Sequence, residues 1–127
     1  MPVAVRALAG TAIIVAGGVH LWLWWRGGYR HAPGGVGPAF VVDAVVSFVA
    51  GALVLLRGDR RAAWAGSVVA AAALAGYGLA RTVGLNGFVE TRWTRPSVIA
   101  AGCEALVIAL LLTEALLPEP TPSGAGR

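Results

Sequence analysis

Residues 20–40 read HLWLWWRGGYRHAPGGVGPAF, and this stretch decides how the rest of the chain is interpreted. An apolar run ends in a cluster of tryptophans, a loop rich in Gly and Pro follows, and a second apolar run begins. Tryptophan is enriched where membrane helices meet the headgroups, and Gly and Pro favour turns. The pattern therefore predicts a membrane helix that ends at an interface, a short loop, and a second helix that returns.

The composition agrees with a membrane environment. Of the 127 residues, 57% are hydrophobic and only 13% are charged, which is more apolar surface than one soluble domain of this size can bury. The net charge of +4 is carried by arginines at chain ends and in loops, without a nucleic-acid-binding motif. Anionic lipid headgroups are therefore the expected partner, and nucleic acid is not. The single cysteine, Cys103, excludes an internal disulfide and is expected to be an apolar filler.

Four apolar segments follow one another, at residues 7–25, 39–56, 62–80 and 97–117. At 1.5 Å per residue each helix would be about 27–32 Å long, enough to cross the hydrocarbon core. Backbone groups in lipid must be satisfied within the segment, so these segments are predicted to be helices. The prediction is an all-α, up-down-up-down bundle of four transmembrane helices. It forms a single membrane domain over residues 1–117, and a disordered, Pro-rich tail follows over residues 118–127.

The orientation of the bundle rests on the arginines. Four spans place both termini and the loop RGDRR (residues 57–61) on one side, called here the termini side. The loops at residues 26–38 and 81–96 lie on the other, called here the far side. Each side carries five arginines, but the RGDRR loop has the densest cluster. The positive-inside rule then favours cytoplasmic termini and the cytoplasmic (cell) membrane.

The third segment is rich in small residues. The pairs Ala62 with Gly66 and Ala72 with Gly76 are each four residues apart and therefore share a helix face. Such pairs allow close approach of helices, so this segment is predicted to lie centrally in the bundle or at a homodimer interface.

The apolar segments contain few ionisable residues, and the topology places these at similar depth toward the far side. The candidates for a polar layer are His20, Asp43, Tyr77, Arg81 and Glu104. A charge within a span costs about 2.5–3.5 kcal/mol near the bilayer centre unless it is paired or hydrated. The hypothesis is a far-side cavity in which Arg81 pairs with Asp43 or Glu104, and His20 hydrogen-bonds to the cluster.

Two interpretations of this layer stay open. The polar groups form a purely structural network, with Arg81 and Asp43 reaching the headgroups, or they form a ligand or proton site. A metal site on His20, Asp43 and Glu104 has plausible ligand types but lacks a spacing signature, so no metal is predicted. Haem is not expected, since His31, the second histidine, lies in a Gly/Pro loop. No catalytic motif is present, and no catalytic residue is assigned.

The run H-L-x-L-x-x-x-G-G-Y-R at residues 20–30, with Pro33, Gly37, Phe40 and a later Glu90, resembles a family of small four-helix membrane proteins from actinobacteria. The resemblance implies membrane location and topology, and it adds Tyr29, Arg30 and Glu90 as candidates in the loops. In outline the chain also resembles DoxX-like membrane proteins, some of which associate with quinone-linked redox chemistry. Quinone is therefore a possible cofactor.

Three classes of function follow. The first is a non-catalytic membrane protein that serves as an accessory subunit or binds a lipid or small apolar ligand at the polar layer. The second is a quinone-linked redox component that uses His20, Asp43 and Arg81. The third is a small dimeric transporter in which Glu104 or Asp43 couples transport to protons.

Overall fold

The computed structural model describes residues 1–118, and these form four helices joined by short connections. The helices are α1 (Val3–Arg26), α2 (Val36–Leu56), α3 (Arg60–Thr82) and α4 (Arg95–Leu116), with a 3-10 turn at Tyr29–His31 between the first two. All four are long and apolar enough to cross a membrane. The predicted four-helix fold is confirmed. The disorder predicted for residues 118–127 is not tested, because all of this tail except Pro118 lies outside the described part of the chain.

Each helix packs against its neighbours in the order α1, α2, α3, α4, and α4 closes the ring against α1. The α1–α2 interface is the most extensive of the four, and the α2–α3 interface is the least extensive. At the termini side, the Met1 ammonium lies 3.9 Å from the Glu114 carboxylate, and Arg60 Nε donates to the Ala115 carbonyl at 2.8 Å. The chain start, the α2–α3 loop and the end of α4 therefore meet at one end of the bundle.

Local sequence explains where α3 and α4 begin. The Asp59 side chain accepts a hydrogen bond from the Ala62 amide at 2.8 Å, which caps α3. Thr94 and Ser97 form a reciprocal capping box at the start of α4, and Pro96 occupies the first turn, where its missing amide proton costs nothing.

The bundle is packed differently in its two halves. On the termini side a continuous core includes Ile13, Val54 and Leu111. There α1 and α2 cross closely at Gly10 and Gly51, where an added Cβ would come within 2.6 Å of a side chain of the facing helix. The far half holds a smaller buried cluster and the cavity described below.

The small residues of α3 divide in the same way. Ala62 and Gly66 are buried against the core, as predicted for close helix packing. Ala72 and Gly76 instead border open space, since a Cβ on Gly76 would meet nothing within 4 Å. Ala72 and Gly76 therefore leave space for the cavity and do not form a close helix contact.

Candidate ligand-binding site

Three polar side chains from three helices meet inside the far half of the bundle. His20 on α1 lies between Asp43 on α2 and Glu104 on α4. The distance from His20 Nδ1 to Asp43 Oδ2 is 2.8 Å, and the distance from His20 Nε2 to Glu104 Oε1 is 3.7 Å. The Glu104 side chain is only 5% exposed. We call these three residues the polar cluster.

The polar cluster lies well inside the apolar thickness of the protein. His20 is six residues before the end of α1, and Asp43 and Glu104 are seven and nine residues after the starts of α2 and α4. At 1.5 Å per residue these positions are about 9–14 Å from the far-side ends of their helices. The matched depth that the sequence indicated thus brings these three residues together.

The expected pairing of Arg81 with Asp43 or Glu104 is wrong. Arg81 is the penultimate residue of α3, close to the far-side end of the helix and about 8–12 Å above the level of the polar cluster. Its guanidinium donates to the Arg92 carbonyl at 2.9 Å and lies 3.7 Å from the centre of the Trp93 ring. Arg81 therefore lies at the end of α3 and holds the α3–α4 loop through Arg92 and Trp93.

A cavity of about 480 Å³ opens above the polar cluster, in the size range of small-molecule sites. Its wall is mainly apolar, and Tyr77, one turn before Arg81, contributes a phenol. The mouth lies between α2 and α3, where Val42, Val46 and Val68 line the cavity and are 61%, 42% and 61% exposed. The cavity therefore opens at the side of the bundle, between two helices that are long and apolar enough to cross a membrane. The α2–α3 interface is the least extensive of the four interfaces between neighbouring helices.

The far-side loops close the top of the cavity. The Tyr29 hydroxyl donates to the Glu90 carboxylate, which also accepts from the Arg92 amide at 2.7 Å. Burial, followed by the hydrogen bond and the charge of Glu90, raises the pKa of Tyr29 to about 12. Tyr29 also stacks on Phe40 at 4.7 Å, and the Phe40 ring meets His20 edge-on at 5.3 Å. A continuous aromatic contact thus joins the closing loops to the polar cluster.

The loop after α3 is shaped by a tight turn at Leu85–Phe88. Asn86 and Gly87 both have positive φ, 46° and 86°, the geometry for which Asn-Gly is favoured. The turn is closed by two backbone hydrogen bonds between Leu85 and Phe88, and the Asn86 side chain reaches the Gly34 carbonyl at 3.3 Å. The two far-side loops are therefore fastened to each other.

The candidates from the sequence fall into three groups. His20, Asp43, Glu104 and Tyr77 line one cavity, while Tyr29 and Glu90 form its closing contact. Arg81 and Arg30 lie apart from the cavity wall, and the Arg30 side chain donates to His31 at 2.9 Å.

Sequence reasoning missed Phe40 and Phe88 as residues of the cavity wall, and Arg92 as part of the closing contact. Phe40 stands three residues before Asp43, on the same helix face, so helical periodicity is a signal that could have found it. Phe88 and Arg92 lie in the irregular stretch between α3 and α4, where no periodic signal exists.

Comparison of the chain with protein-family models, with curated proteins and with solved structures finds no match. The resemblances to small actinobacterial membrane proteins and to DoxX-like proteins therefore stay predictions. The fold and the site define the class of the protein. It is a small four-helix integral membrane protein with a polar cluster at the base of a cavity inside the bundle.

Proposed function

We propose that this protein binds a small amphiphilic molecule taken from the bilayer. The observation that carries the proposal is the cavity of about 480 Å³, whose apolar wall leads to three polar side chains in the interior of the bundle. A ligand with an apolar body and one polar group would match both parts of this surface.

The mouth of the cavity supports entry from the membrane. Exposed valines flank it on α2 and α3, and the hydrogen bond from Tyr29 to Glu90 closes the cavity toward the far-side headgroups. A molecule already dissolved in lipid would reach the cavity without crossing water, so the cost of desolvating its apolar body would be small.

The charges of the polar cluster favour certain headgroups. Two carboxylates face the base of the cavity, and the one basic group there is an imidazole. When no cation is bound at the cluster, ionised Asp43 and Glu104 would repel a phosphate group at close range in a low dielectric. We therefore favour neutral or cationic polar groups over a phospholipid head.

One observation supports a quinone as the ligand. The two nitrogens of His20 lie 2.8 Å and 3.7 Å from carboxylate oxygens of Asp43 and Glu104, so three groups that can carry a proton are adjacent at the base of the cavity. A quinone headgroup takes up protons when it is reduced, and this cluster would deliver them while a partner protein supplies electrons. An isoprenoid quinone that co-purifies with the protein, and is lost in His20→Gln, would favour this second candidate.

The proposal is tested by introducing a larger side chain into the cavity at a position where an added Cβ meets no neighbouring atom. Gly76 lines the cavity and Gly78 does not, and a Cβ at either position meets nothing within 4 Å. The two variants Gly76→Leu and Gly78→Leu change the same residue type on the same helix. Molecules that remain bound after purification in mild detergent are identified by native mass spectrometry and organic extraction.

We expect wild type and Gly78→Leu to carry one class of small amphiphile, and Gly76→Leu to carry at least fivefold less. Wild-type protein without a bound molecule, or Gly76→Leu with wild-type occupancy, would contradict the proposal. A protein subunit retained in place of a small molecule would instead favour the accessory-subunit class.

For the location we propose the cytoplasmic membrane with both termini inside. The support is the termini-side turn between α2 and α3, where Arg57 follows α2 and Arg60 and Arg61 begin α3.

A further inference from the structure

The polar cluster contains side-chain atoms that lack hydrogen-bond partners. Among residues 1–118, four buried side-chain polar atoms have no such partner, and three of them are His20 Nδ1, Asp43 Oδ2 and Glu104 Oε1. Although Nδ1 and Oδ2 are 2.8 Å apart, they are not aligned for a hydrogen bond. Orphaned polar atoms are costly in a buried site, and these three belong to neighbouring side chains of one cluster.

The cluster also offers a set of metal ligands. One donor atom from each of the three side chains can be chosen so that all lie within 4.8 Å of one another. Ligands around an ion at about 2.0–2.2 Å stand roughly 3 Å apart, so donor separations of up to 4.8 Å must shorten by about 2 Å. One nitrogen of His20 must also turn to face the ion together with both carboxylates. The three donors come from three different helices, which hold them from separate directions.

The charges of the polar cluster give an independent reason to expect a bound cation there. Asp43 and Glu104 carry two negative charges when ionised, in a region where an uncompensated charge is expensive. A divalent cation neutralises both carboxylates, and a neutral imidazole completes the set without adding charge. Arg81, the cation that the sequence suggested for this role, is held elsewhere.

We propose that His20, Asp43 and Glu104 bind one divalent transition-metal ion. One nitrogen and two carboxylate oxygens suit Zn²⁺, Mn²⁺ or Fe²⁺, whereas sites for Ca²⁺ and Mg²⁺ rely on oxygen alone. Three protein ligands would leave at least one coordination position open for water or a ligand, and all three residues line the cavity. The metal site does not depend on the proposed amphiphile, because its ligands all belong to the protein.

The test uses the full chain, purified with an affinity tag that contains no histidine and stripped with a chelator. Co²⁺ is titrated as the probe, and binding is followed by its visible absorption and by elemental analysis after equilibration with Zn²⁺. We expect saturation at about one ion per chain. We expect Glu104→Gln and Asp43→Asn to weaken Co²⁺ binding at least tenfold.

The matched control is Glu114→Gln. Glu114 lies on the same helix, ten residues further on, beside the Met1 ammonium. This variant should bind Co²⁺ as wild type does. Absence of saturable binding to wild-type protein would overturn the proposal, and so would equal binding by all three variants, which would identify an adventitious ion only.

A second measurement keeps the test decisive if the variants fail to fold. The chain has two histidines, so His31→Gln leaves His20 as the single imidazole. In this variant Co²⁺ should shift the His20 ring resonances, and Zn²⁺ should raise the Tm while Mg²⁺ should not. Unshifted resonances would overturn the proposal. Loss of amphiphile in Gly76→Leu with metal binding intact would separate this result from the proposed function.

Discussion

At the scale of single residues, burial and local partners decide what each titratable group does. His20 and Glu104 belong to a cluster deep in the bundle, while His31 and Arg30 contact each other at the exposed far side. Tyr29 is the clearest case outside the spans. It is 4% exposed and donates to a buried carboxylate, so its neutral form is favoured in the folded protein.

The raised pKa of Tyr29 predicts how the stability of the protein depends on pH in the alkaline range. The folded value of about 12 exceeds the unfolded value of about 10, so the folded state binds more protons between these values. The free energy of unfolding should hold below pH 10 and fall between pH 10 and 12, by up to about 1.4 kcal/mol per pH unit. Phenolate absorbance should show a component near pH 12 that disappears in Tyr29→Phe and persists in Tyr77→Phe. A Tyr29 midpoint near 10 would refute the closing contact.

At the scale of helices, the positions of small residues separate tight packing from open space. Gly10 and Gly51 let α1 and α2 approach closely on the termini side, and the same residue type at Gly76 leaves room beside the cavity. Glycine and alanine lower the apolar content of a span, but they allow dispersion contacts between backbones where helices touch. The same composition therefore serves two purposes along one bundle.

This contrast predicts opposite results for two Gly→Ala variants. A Cβ on Gly51 would stand 2.6 Å from Ile14 Cγ1 and 2.9 Å from the Gly10 carbonyl oxygen, and a backbone atom cannot move aside. Gly51→Ala should therefore lower stability by about 1–3 kcal/mol through overpacking. Gly18→Ala on α1 has open space around its Cβ and should leave stability unchanged or slightly higher. Thermal or SDS-induced unfolding in detergent measures both, and equal effects would show that α1 and α2 are not in close contact.

At the scale of the whole molecule, the helix ring has one weak side. The interfaces of α1 with α2 and α4, and of α3 with α4, are more extensive than the α2–α3 interface. The far-side loops add their own contacts through Tyr29, Glu90 and Asn86. The cavity is therefore closed toward the far side and open between α2 and α3.

The topology predicts which surfaces are accessible from each side of the membrane. In a Cys103→Ala background, Pro118→Cys marks the termini side and Thr91→Cys marks the far side, and neither change alters a charge. Four spans place the two labels on opposite sides. With cytoplasmic termini, an impermeant maleimide should label Thr91→Cys in intact cells and Pro118→Cys only after permeabilisation. Labelling of both cysteines from the same side would contradict four crossings. Labelling of Pro118→Cys alone in intact cells would show that the termini lie outside.

The sequence by itself determined the four spans, their up-down order and the depth of His20, Asp43 and Glu104. These properties follow from local composition. A helix needs about 20 apolar residues to cross a bilayer, and a short loop makes the next helix cross in the opposite direction. Observed helix ends differ from the predicted ones by at most four residues, and the end of α2 coincides.

Only the tertiary structure decided which polar groups meet. Each residue turns a helix by about 100°, so the facing of His20 toward two carboxylates depends on helix rotation, which packing fixes and composition does not. The predicted partners of Arg81 are wrong because the contacts of Arg81 at the helix end, beside Trp93, depend on an irregular loop. The cavity likewise exists because α2 and α3 stand apart, a long-range distance that no local pattern encodes.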